Sequence, residues 1–372
     1  MEMMLLEDCC DILDSMRVPI TAKDRKKGPY PYYGANGVQD YVADYIFDDN
    51  LVLLAEDGGN FGSEERPIAY KVSGKCWVNN HAHVLKPKEG IDVDYLCYSL
   101  MFYKVDGMVN GATRMKLTQA AMRKMLIPSR KIKEQKEIVG ILNKVQVLIK
   151  EEKEQLERYD ELIKSRFVEM FGDVATSNYK YETRKLGDVA DVGSSHRVFT
   201  TEFVDSGIPF YRGTEIGELA NGIKPTEPYY ISEEHYNRLT KDDTKPQLGD
   251  LLMPSICNKG QVWMVDTNEP FYYKDGRVLC ISPNRAIFDS KYLEYFMRVK
   301  TLVEYPKLGS GSTFAEFKIF LLKDIDVLIP PIELQEQFAI FVRRVDKLKV
   351  ITKQSIDELQ ILFDSLMQKY FG

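Results

Sequence analysis

Two long stretches of the chain, residues 131–173 and 331–372, carry apolar residues in alternating steps of four and three. A 3.5-residue apolar repeat held over about five heptads is typical of a coiled coil. Glu152 and Arg166 interrupt the first stripe, and Lys349 and Thr352 interrupt the second. The predicted seam residues are Ile138, Leu142, Val145, Ile149, Leu156, Tyr159, Ile163 and Met170, then Phe338, Val342, Val345, Ile356, Leu359, Phe363, Leu366 and Tyr370.

The two stretches repeat one another. Leu-Ile-Pro at 126–128 returns at 328–330, Glu-Gln at 134–135 returns at 336–337, and Phe-Gly at 171–172 returns at 371–372. The first two pairs are 202 residues apart, whereas the Phe-Gly pair and the apolar seam positions are 200 apart. An internal duplication fixes the architecture, and this one predicts two similar globular halves, each followed by a similar long helix.

The duplication favours pairing of the two helices within one chain, because a tethered partner has a high effective concentration. Copies related by a pseudo-twofold axis run antiparallel and place the globular halves at opposite ends. The predicted fold is α+β, with two mixed α/β domains joined by two antiparallel coiled-coil helices. The expected boundaries are 1–130 for the first domain, 131–173 for the first helix, 174–330 for the second domain and 331–372 for the second helix.

The globular halves share a scaffold of short strands but differ in their loops. Tyr30-Pro-Tyr-Tyr-Gly returns as Ile208-Pro-Phe-Tyr-Arg-Gly, and His83-Val-Leu-Lys-Pro returns as Val278-Leu-Cys-Ile-Ser-Pro. Residues 212–247 form a long insertion with little counterpart in the first half. A fixed frame with divergent loops suits two domains that recognise different targets; drift of the loops without any function is the alternative.

Composition is that of an ordinary globular protein, with 44% apolar and 28% charged residues. No apolar run approaches the roughly 18 residues of a membrane span. The first residues carry acid where a signal peptide carries base, so a cytoplasmic protein without membrane contact is expected. No two of the six cysteines have CxxC spacing, and Cys76, His81 and His83 lack a fourth ligand. No metal site is predicted.

The net charge of −6 does not by itself indicate a nucleic-acid binder, but the positive charges are clustered. Residues 111–136 hold eight basic residues against one acid, and Lys23, Arg25, Lys26 and Lys27 form a second group. A solvated face is the ordinary explanation of such runs. A local phosphate-binding face is the alternative.

Motifs of catalysis are missing from the sequence. Ile329-Pro-Pro-Ile lacks the polar and aromatic ends of the tetrapeptide used in amino-methyl transfer, and neither GxxxxGK[ST] nor GxSxG is present. Only four histidines could serve as general bases. His81 and His83 alternate on a predicted strand, so we expect one to be buried and the other exposed. The chain is predicted to be non-catalytic.

Four segments of the first half form a specific set: Pro31-Tyr-Tyr-Gly-Ala-Asn-Gly-Val-Gln-Asp-Tyr, Leu53-Leu-Ala-Glu-Asp-Gly-Gly, Trp77-Val-Asn-Asn-His-Ala-His-Val-Leu and Gly111-Ala-Thr-Arg-Met-Lys-Leu. Together they resemble a target-recognition domain of the specificity subunit of type I restriction-modification systems. The repeated unit of proline, Glu-Gln, long helix and Phe-Gly is similar to the spacer helix of that family. The second half follows the pattern more loosely, as Gly249-Asp-Leu-Leu and Gly309-Ser-Gly-Ser-Thr.

The resemblance implies a double-stranded-DNA-binding subunit with no catalytic activity of its own. Each recognition domain would read one half of a split, asymmetric target, and the antiparallel helices would fix the gap. The helices would also bind two methyltransferase subunits, which use S-adenosylmethionine. Endonuclease/translocase subunits driven by ATP would complete the complex. S-adenosylmethionine, ATP and Mg²⁺ would therefore belong to the partners, and no cofactor is expected on this chain.

Phosphate contacts position a DNA-binding protein and base contacts specify its sequence. Small residues in Gly111-Ala-Thr-Arg-Met-Lys would let backbone N–H groups approach a phosphate. The residues expected to contact phosphate are Lys26, Lys27, Arg114 and Lys116 in the first half, and Lys307, Ser312 and Thr313 in the second. An ordinary loop before a helix is the alternative explanation.

For base reading, asparagine and glutamine suit adenine, and arginine and lysine suit guanine. The candidates are Tyr32, Tyr33, Asn36, Asn60, Asn79 and Asn80 in the first half, and Arg212, Thr214, Asn258, Lys259 and Gln261 in the second. Turn asparagines also bond their own backbone, which is the alternative role. Two other functions stay open: a homodimeric coiled-coil scaffold with protein-binding ends, and a self-contained DNA-modifying enzyme.

Overall fold

A computed structural model describes residues 2–111, 115–241, 245–309 and 315–372. The chain divides into two units: unit 1 comprises Met1–Glu154 and Thr352–Gly372, and unit 2 comprises Gln155–Ile351. Each unit holds one globular half and a part of each long helix. The units therefore cut across the four segments expected from the sequence, because both long helices are shared between them.

The first half places a run of five consecutive strands, β3 to β7, between shorter strands and helices. The strands are β1 (Met3–Leu5), β2 (Cys10–Ile12), β3 (Lys27–Gly34), β4 (Gly37–Val42), β5 (Phe47–Ala55), β6 (Ala69–Val78), β7 (Ala82–Pro87), β8 (Val109–Asn110), β9 (Lys116–Leu117) and β10 (Leu126–Pro128). The helices are α1 (Leu6–Cys9), α2 (Val93–Met101), α3 (Gln119–Arg123) and α4 (Ile132–Phe171), with a 3₁₀ turn at Asp14–Met16.

The second half also combines short strands with helices, and its described residues form six helices against four in the first half. Its strands are β11 (Gly172–Asp173), β12 (Asn178–Tyr179), β13 (Thr183–Lys185), β14 (Ala190–Gly193), β15 (Phe203–Val204), β16 (Ile208–Tyr211), β17 (Tyr229–Ile231), β18 (Leu251–Pro254), β19 (Trp263–Met264), β20 (Tyr272–Tyr273), β21 (Val278–Pro283) and β22 (Asp326–Leu328). Its helices are α5 (Leu186–Val189), α6 (Gly213–Ala220), α7 (Glu233–Leu239), α8 (Ser290–Glu304), α9 (Ile319–Lys323) and α10 (Ile332–Phe371), with 3₁₀ turns at Thr200–Glu202 and Tyr305–Leu308.

Unit 1 is built on a six-stranded sheet with the order β2-β7-β5-β6-β3-β4. Its central strand β5 contains an apolar run, residues 51–55, whose side chains are all buried. Such a run is expected where both faces of a strand are covered. Val52 and Leu54 pack into a core that includes α2 and parts of both long helices, whereas Leu51 and Leu53 pack into a second core.

Unit 2 keeps these strand pairings but divides them between two four-stranded sheets, β14-β21-β18-β19 and β15-β17-β16-β20. The antiparallel pairs of β21 with β14 and β18 repeat those of β7 with β2 and β5. The parallel pair β16–β20 repeats β3–β6. The insertion at 212–247 supplies α6, β17 and α7, and neither α6 nor α7 has a counterpart among the described elements of unit 1.

The two predicted coiled-coil helices are confirmed as α4 and α10, each 40 residues long. In unit 1 they are antiparallel: Ser355 contacts Glu152 at 3.4 Å, and Arg130, just before α4, reaches the Tyr370 carbonyl at 3.4 Å. In unit 2 they are again antiparallel, since Lys349 pairs with Asp160 at 2.6 Å while Phe338 packs on Phe171. No helix in the described ranges combines the length and the apolar character needed to cross a membrane.

A single shift of 200 residues relates the two helices. They begin at Ile132 and Ile332, and Gln135 and Gln335 in their first turns are both fully buried. Gln337, which the Glu-Gln repeat matched to Gln135 at a shift of 202, is exposed. That match is wrong, because two residues along a helix rotate a side chain by about 200° around the axis.

Candidate nucleic-acid interface

Four loops of unit 1 meet at one end of its sheet, and we name this end the first loop surface: residues 34–37, 56–60, 79–81 and 115–116. Backbone bonds join them, since Glu56 N donates to His81 O (2.9 Å) and Gly58 N donates to Met115 O (3.3 Å). The Asn36 side chain donates to Gly58 O at 3.0 Å. The loops therefore form one continuous surface.

Most of the base-reading candidates of the first half lie at this surface. Asn36 and Asn80 are exposed, as is Lys116, whereas Tyr33 and Asn60 are half-buried. Asn79 is buried: its amide accepts from His81 N (2.8 Å) and donates to Gln39 Oε1 (3.1 Å). Its hydrogen bonds shape the loop, which leaves Asn80 as the exposed amide beside it.

An open cleft of about 420 Å³ borders the first loop surface, lined in part by Arg25, Gln39, Asn79 and Asn80. Tyr32 is only 1% exposed, its hydroxyl accepts from Ile20 N (3.2 Å), and Arg25 lies 4.2 Å from its ring centre. The structure thus gives Tyr32 a packing position beneath the cleft. Arg25 and Gln39 were not among the predicted site residues, although both stood in segments that the sequence had marked, the basic group at 23–27 and the motif beginning at Pro31.

Lys26 and Lys27 are not brought to the first loop surface. Lys27 begins β3 and pairs with Val42, whereas the loop surface includes the turn at the other end of the hairpin, where Gly34 pairs with Gly37. At about 3.3 Å per residue, that separates Lys27 from the turn by roughly 20 Å. Both lysines are exposed and form a separate basic site.

A charge network joins exposed Lys116 to four side chains beneath it, Asp14, Arg17, Glu56 and His83. Lys116 Nζ is 2.9 Å from Glu56, and Arg17 bonds the same carboxylate at 2.6 Å. His83 Nδ1 lies 2.6 Å from Asp14, and its Nε2 lies 2.9 Å from the carbonyl that follows Lys116. Both ring nitrogens of His83 therefore lie within hydrogen-bond distance of an oxygen atom. Of the two histidines expected to be one buried and one exposed, His83 is fully buried, whereas His81 is half-buried.

The network holds its carboxylates ionised. Burial alone would raise the pKa of Glu56, but hydrogen bonds from Arg17 and Lys116 outweigh it and hold that pKa below its ordinary value. The same opposition, with His83 as the main donor, lowers the pKa of Asp14. Ligand atoms of Asp14, Glu56 and His83 lie within 4.8 Å of one another, close enough for a metal ion. The side chains of Arg17 and Lys116 already bind these carboxylates, so cations of the protein itself occupy that position.

In unit 2 the start of α6 lies beside the loop that follows β18, and we name residues 212–217 and 255–261 the second loop surface. A Cβ placed on Gly217 would lie 3.8 Å from Gln261 Cγ. Arg212 caps α6 through Glu215, which is buried, and lies 4.6 Å from the ring centre of Tyr229. Thr214, Asn258 and Lys259 are exposed, and half-buried Gln261 accepts from Lys259 N at 3.1 Å. The structure therefore brings these five candidates into one region.

Arg298 on α8 holds this region together, and no sequence pattern marks it as a site residue. Its guanidinium donates to Val262 O (3.0 Å) and to Ala220 O (2.5 Å) while pairing with Glu294 (2.9 Å). It thus joins the end of α6 to the loop. Only the fold places these segments side by side.

Four further candidates remain. Lys307 is exposed in the 3₁₀ turn Tyr305–Leu308 and pairs with Glu304 at 3.0 Å. Arg114, Ser312 and Thr313 lie outside the residues that the structure describes.

The position of Lys116 in unit 1 is taken by an acid in unit 2. Phe317 N donates to Ser255 O at 2.7 Å, as Leu117 N donates to Glu56 O at 2.7 Å. Glu316 therefore stands where Lys116 stands, and it bonds Arg277 at 2.8 Å. The strand register likewise places Leu279 where His83 lies.

Comparisons with known proteins bear on the chain as a whole. A family model described as the type I restriction modification DNA specificity domain matches residues 1–158 and 178–360. A putative type I restriction enzyme specificity subunit from Haemophilus influenzae is 30% identical over 98% of this chain and 92% of its own length. The MjaVIII specificity subunit from Methanocaldococcus jannaschii is 22% identical over 96% of this chain and 89% of its own. A solved S subunit from M. genitalium covers 100% of this chain and 96% of its own, with a TM-score of 0.58 at 14% identity, which shows the shared fold.

Proposed function

This chain belongs to the type I restriction-modification DNA specificity family, and from that premise we propose that each of its globular halves reads one half of a split, asymmetric DNA target. As a specificity subunit it is a non-catalytic component of its system. The observation that carries the proposal is the contrast between one repeated frame and two different loop surfaces. Asn36 and Asn80 dominate the first, whereas Asn258 and Lys259 dominate the second.

The exposed side chains of the two surfaces have the chemistry of direct readout. Asparagine and glutamine form bidentate pairs with adenine in the major groove, and lysine and arginine do so with guanine. Arg212 is already held by Glu215, which leaves Lys259 as the more available cation of the second surface. The two surfaces therefore select different bases.

Phosphate contacts hold the chain on DNA. Lys116 on the first surface is half exposed, and Lys26, Lys27, Lys259 and Lys307 are exposed. With a net charge of −6, the chain supplies only local basic sites. Its affinity without partners is therefore modest and falls steeply with salt.

The outer faces of α4 and α10 provide docking surfaces for two methyltransferase subunits. Four leucines at one heptad position are 45–47% exposed: Leu148 and Leu362 in unit 1, and Leu348 and Leu162 in unit 2. Exposed apolar residues in regular array mark interaction sites, and this array is repeated once per unit. The methyltransferases carry S-adenosylmethionine, and endonuclease/translocase subunits carry ATP and Mg²⁺. The same helices set the distance between the two halves of the target.

Methylome sequencing of a host that carries this chain with its methyltransferase tests the proposal. We expect one split motif modified on both strands. Asn80→Ala should relax only one half of that motif and Asn258→Ala only the other, because the residues lie on different surfaces. Asn50→Ala, an exposed position on β5 away from both, is the control. An unsplit motif, or relaxation of both halves by one substitution, contradicts the proposal.

A further inference from the structure

One buried glutamine in unit 1 joins the recognition domain to the long helix that follows it. Gln135, in the first turn of α4, is fully buried. Its Oε1 accepts from Asp92 N (2.8 Å), and its Nε2 donates to Gly90 O (3.0 Å) and to Arg130 O (2.8 Å). We name this arrangement the first glutamine clasp. It binds three separate backbone groups with one side chain.

Unit 2 contains the same arrangement on a different sequence background. Gln335 is fully buried in the first turn of α10 and accepts from Asp289 N at 3.0 Å. It donates to Ile287 O (2.9 Å) and to Pro330 O (2.8 Å). This second glutamine clasp preserves the bonds while two of the three partner residues change type. The partners are backbone groups, so their side chains are free to vary.

Each clasp holds the loop just before a helix of the recognition domain, α2 in unit 1 and α8 in unit 2. Asp92 caps α2 by accepting from Asp94 N and Tyr95 N, and Asp289 caps α8 in the same way. A tyrosine on each of these helices makes a second link, to the strand that precedes the long helix. The Tyr95 hydroxyl donates to Pro128 O (2.9 Å), and the Tyr292 hydroxyl donates to Leu328 O (3.3 Å). Two points of attachment fix an orientation, whereas one would allow rotation.

The amide group suits this position because it offers one acceptor and two donors on a neutral side chain. Here all three are used, and the alternative orientation of the amide would place N–H against N–H and oxygen against two carbonyls. A hydrocarbon of the same length would leave three buried backbone groups without partners, which is costly. A hydrophobic contact could fill the space but would not set the angle.

We propose that Gln135 and Gln335 are positioning residues that lock each recognition domain to its helix and thereby restrict the gap allowed between the two half-sites. This inference rests on the proposed function, in which the helices space the two domains. The bases of each half-site are read elsewhere, at the two loop surfaces. Loosening a clasp should therefore change the permitted gap and leave both half-site sequences unchanged.

The experiment is methylome sequencing of a host carrying the full chain with its methyltransferase, as wild type and as Gln335→Met. The measured quantity is the fraction of modified sites at the native gap and at gaps one base pair shorter or longer. We expect Gln335→Met, which removes all three hydrogen bonds, to raise the off-gap to native-gap ratio about tenfold, a change that corresponds to about 1.4 kcal/mol. Gln335→Glu keeps the acceptor for Asp289 N but places a second oxygen against the Ile287 and Pro330 carbonyls, so its rise should be at least as large.

Gln337→Met is the matched control, because Gln337 is an exposed glutamine two residues further along the same helix. It should leave the gap ratio at the wild-type value. If Gln335→Met lowers methylation at every gap in the same proportion, the clasp has only a stability role and the inference is wrong. The inference is also wrong if Gln335→Met and Gln335→Glu both abolish methylation. If the wild type itself yields no split motif, the proposed function fails instead.

Discussion

The two units support equivalent loops by different physical means. In unit 1 the loops of the first loop surface are held by polar contacts, of Lys116 with Glu56 and of His83 with Asp14. In unit 2 the equivalent positions hold Glu316 and apolar Leu279, and the ion pair to Arg277 lies near solvent. The difference shows that this frame does not prescribe how its loops are held. The side-chain charge at one equivalent backbone position, Lys116 or Glu316, has opposite sign in the two units.

The largest expected effect comes from breaking the network of unit 1. Arg17 is 12% exposed and bonds Glu56, Asp14 and the Ala82 carbonyl, so Arg17→Met removes a buried cation that two buried carboxylates share and leaves Glu56 with its half-exposed partner Lys116. We expect a loss of about 3–5 kcal/mol in the stability of unit 1. Hydrogen exchange of β7, measured by mass spectrometry on the full chain, reports it.

The matched change in unit 2 is Arg277→Met. Arg277 is 59% exposed, so removing its pair with Glu316 should cost less than about 1 kcal/mol, as measured by exchange of β21. Equal losses in the two units would show that the buried and exposed ion pairs do not differ in strength.

Importing the apolar residue of unit 2 should have the next largest effect. His83→Leu, which copies Leu279, removes the ring contacts with Asp14 and with the Leu117 carbonyl, and we expect a loss of about 2–3 kcal/mol. In unit 2 the counterpart of Asp14 is Ser194, because Val192 holds the register position of Ile12. Adding Asp14→Ser to His83→Leu should therefore recover part of the lost stability, since it removes the acid that has lost its histidine partner. Denaturant unfolding of single and double variants measures the coupling; strictly additive losses would argue against a network.

A smaller effect is expected on DNA binding. Lys116→Ala should weaken binding of cognate and scrambled duplexes alike, by about tenfold or less, and reduce the salt slope by roughly 0.9. Glu316→Ala should leave the affinity unchanged or raise it, because it removes a negative charge. Lys150→Ala, on the exposed face of α4, is the control. Fluorescence anisotropy with the methyltransferase complex is the measurement; loss confined to the cognate duplex would assign Lys116 to base reading.

The smallest expected effect is a pH dependence of opposite sign in the two units. The pKa values of Asp14 and Glu56 lie below their ordinary 3.8 and 4.5, so these groups stabilise unit 1 above that range and stop doing so as pH falls through the lowered values. Burial raises the pKa of Asp250 in unit 2, so its contribution is present at low pH and is lost as pH rises through the raised value. Exchange protection of β7 should fall below about pH 4, and the Asp14→Asn, Glu56→Gln double variant should flatten that fall. Parallel profiles for β7 and β21 would contradict this difference.

Much of the architecture followed from the sequence because it is written in periodic apolar positions. The apolar heptad positions predict the seam of α4 and α10, and the continuous apolar run predicts the buried strand at 51–55. In both cases the residue type at each position is enough to indicate that the position is buried. The Glu-Gln repeat was misleading, because Gln337 matches Gln135 in residue type but lies on the exposed side of its helix. The buried counterpart of Gln135 is Gln335. The charge network of unit 1 could not be foreseen, because Asp14, Glu56 and His83 are far apart in sequence and only the sheet register joins them.

The candidate site was foreseen in part. Asparagines in turn-rich segments identified the first loop surface, because short polar residues cluster where strands end. Which amides are exposed and which are used internally depends on neighbours from other loops, as Asn79 and Asn80 show. The anchoring role of Arg298 rests entirely on long-range contacts to two carbonyls.

The division of each long helix between the units has a consequence for synthesis. Unit 2 is a continuous segment, Gln155–Ile351, whereas unit 1 needs residues 352–372, which place Phe363 in its core and Phe371 against Tyr95. A ribosome delivers the chain from its N-terminus, and domains fold as their residues emerge. The first globular half is therefore synthesised first but completed after unit 2, because its core lacks Phe363 and Phe371 until residues 352–372 have been made.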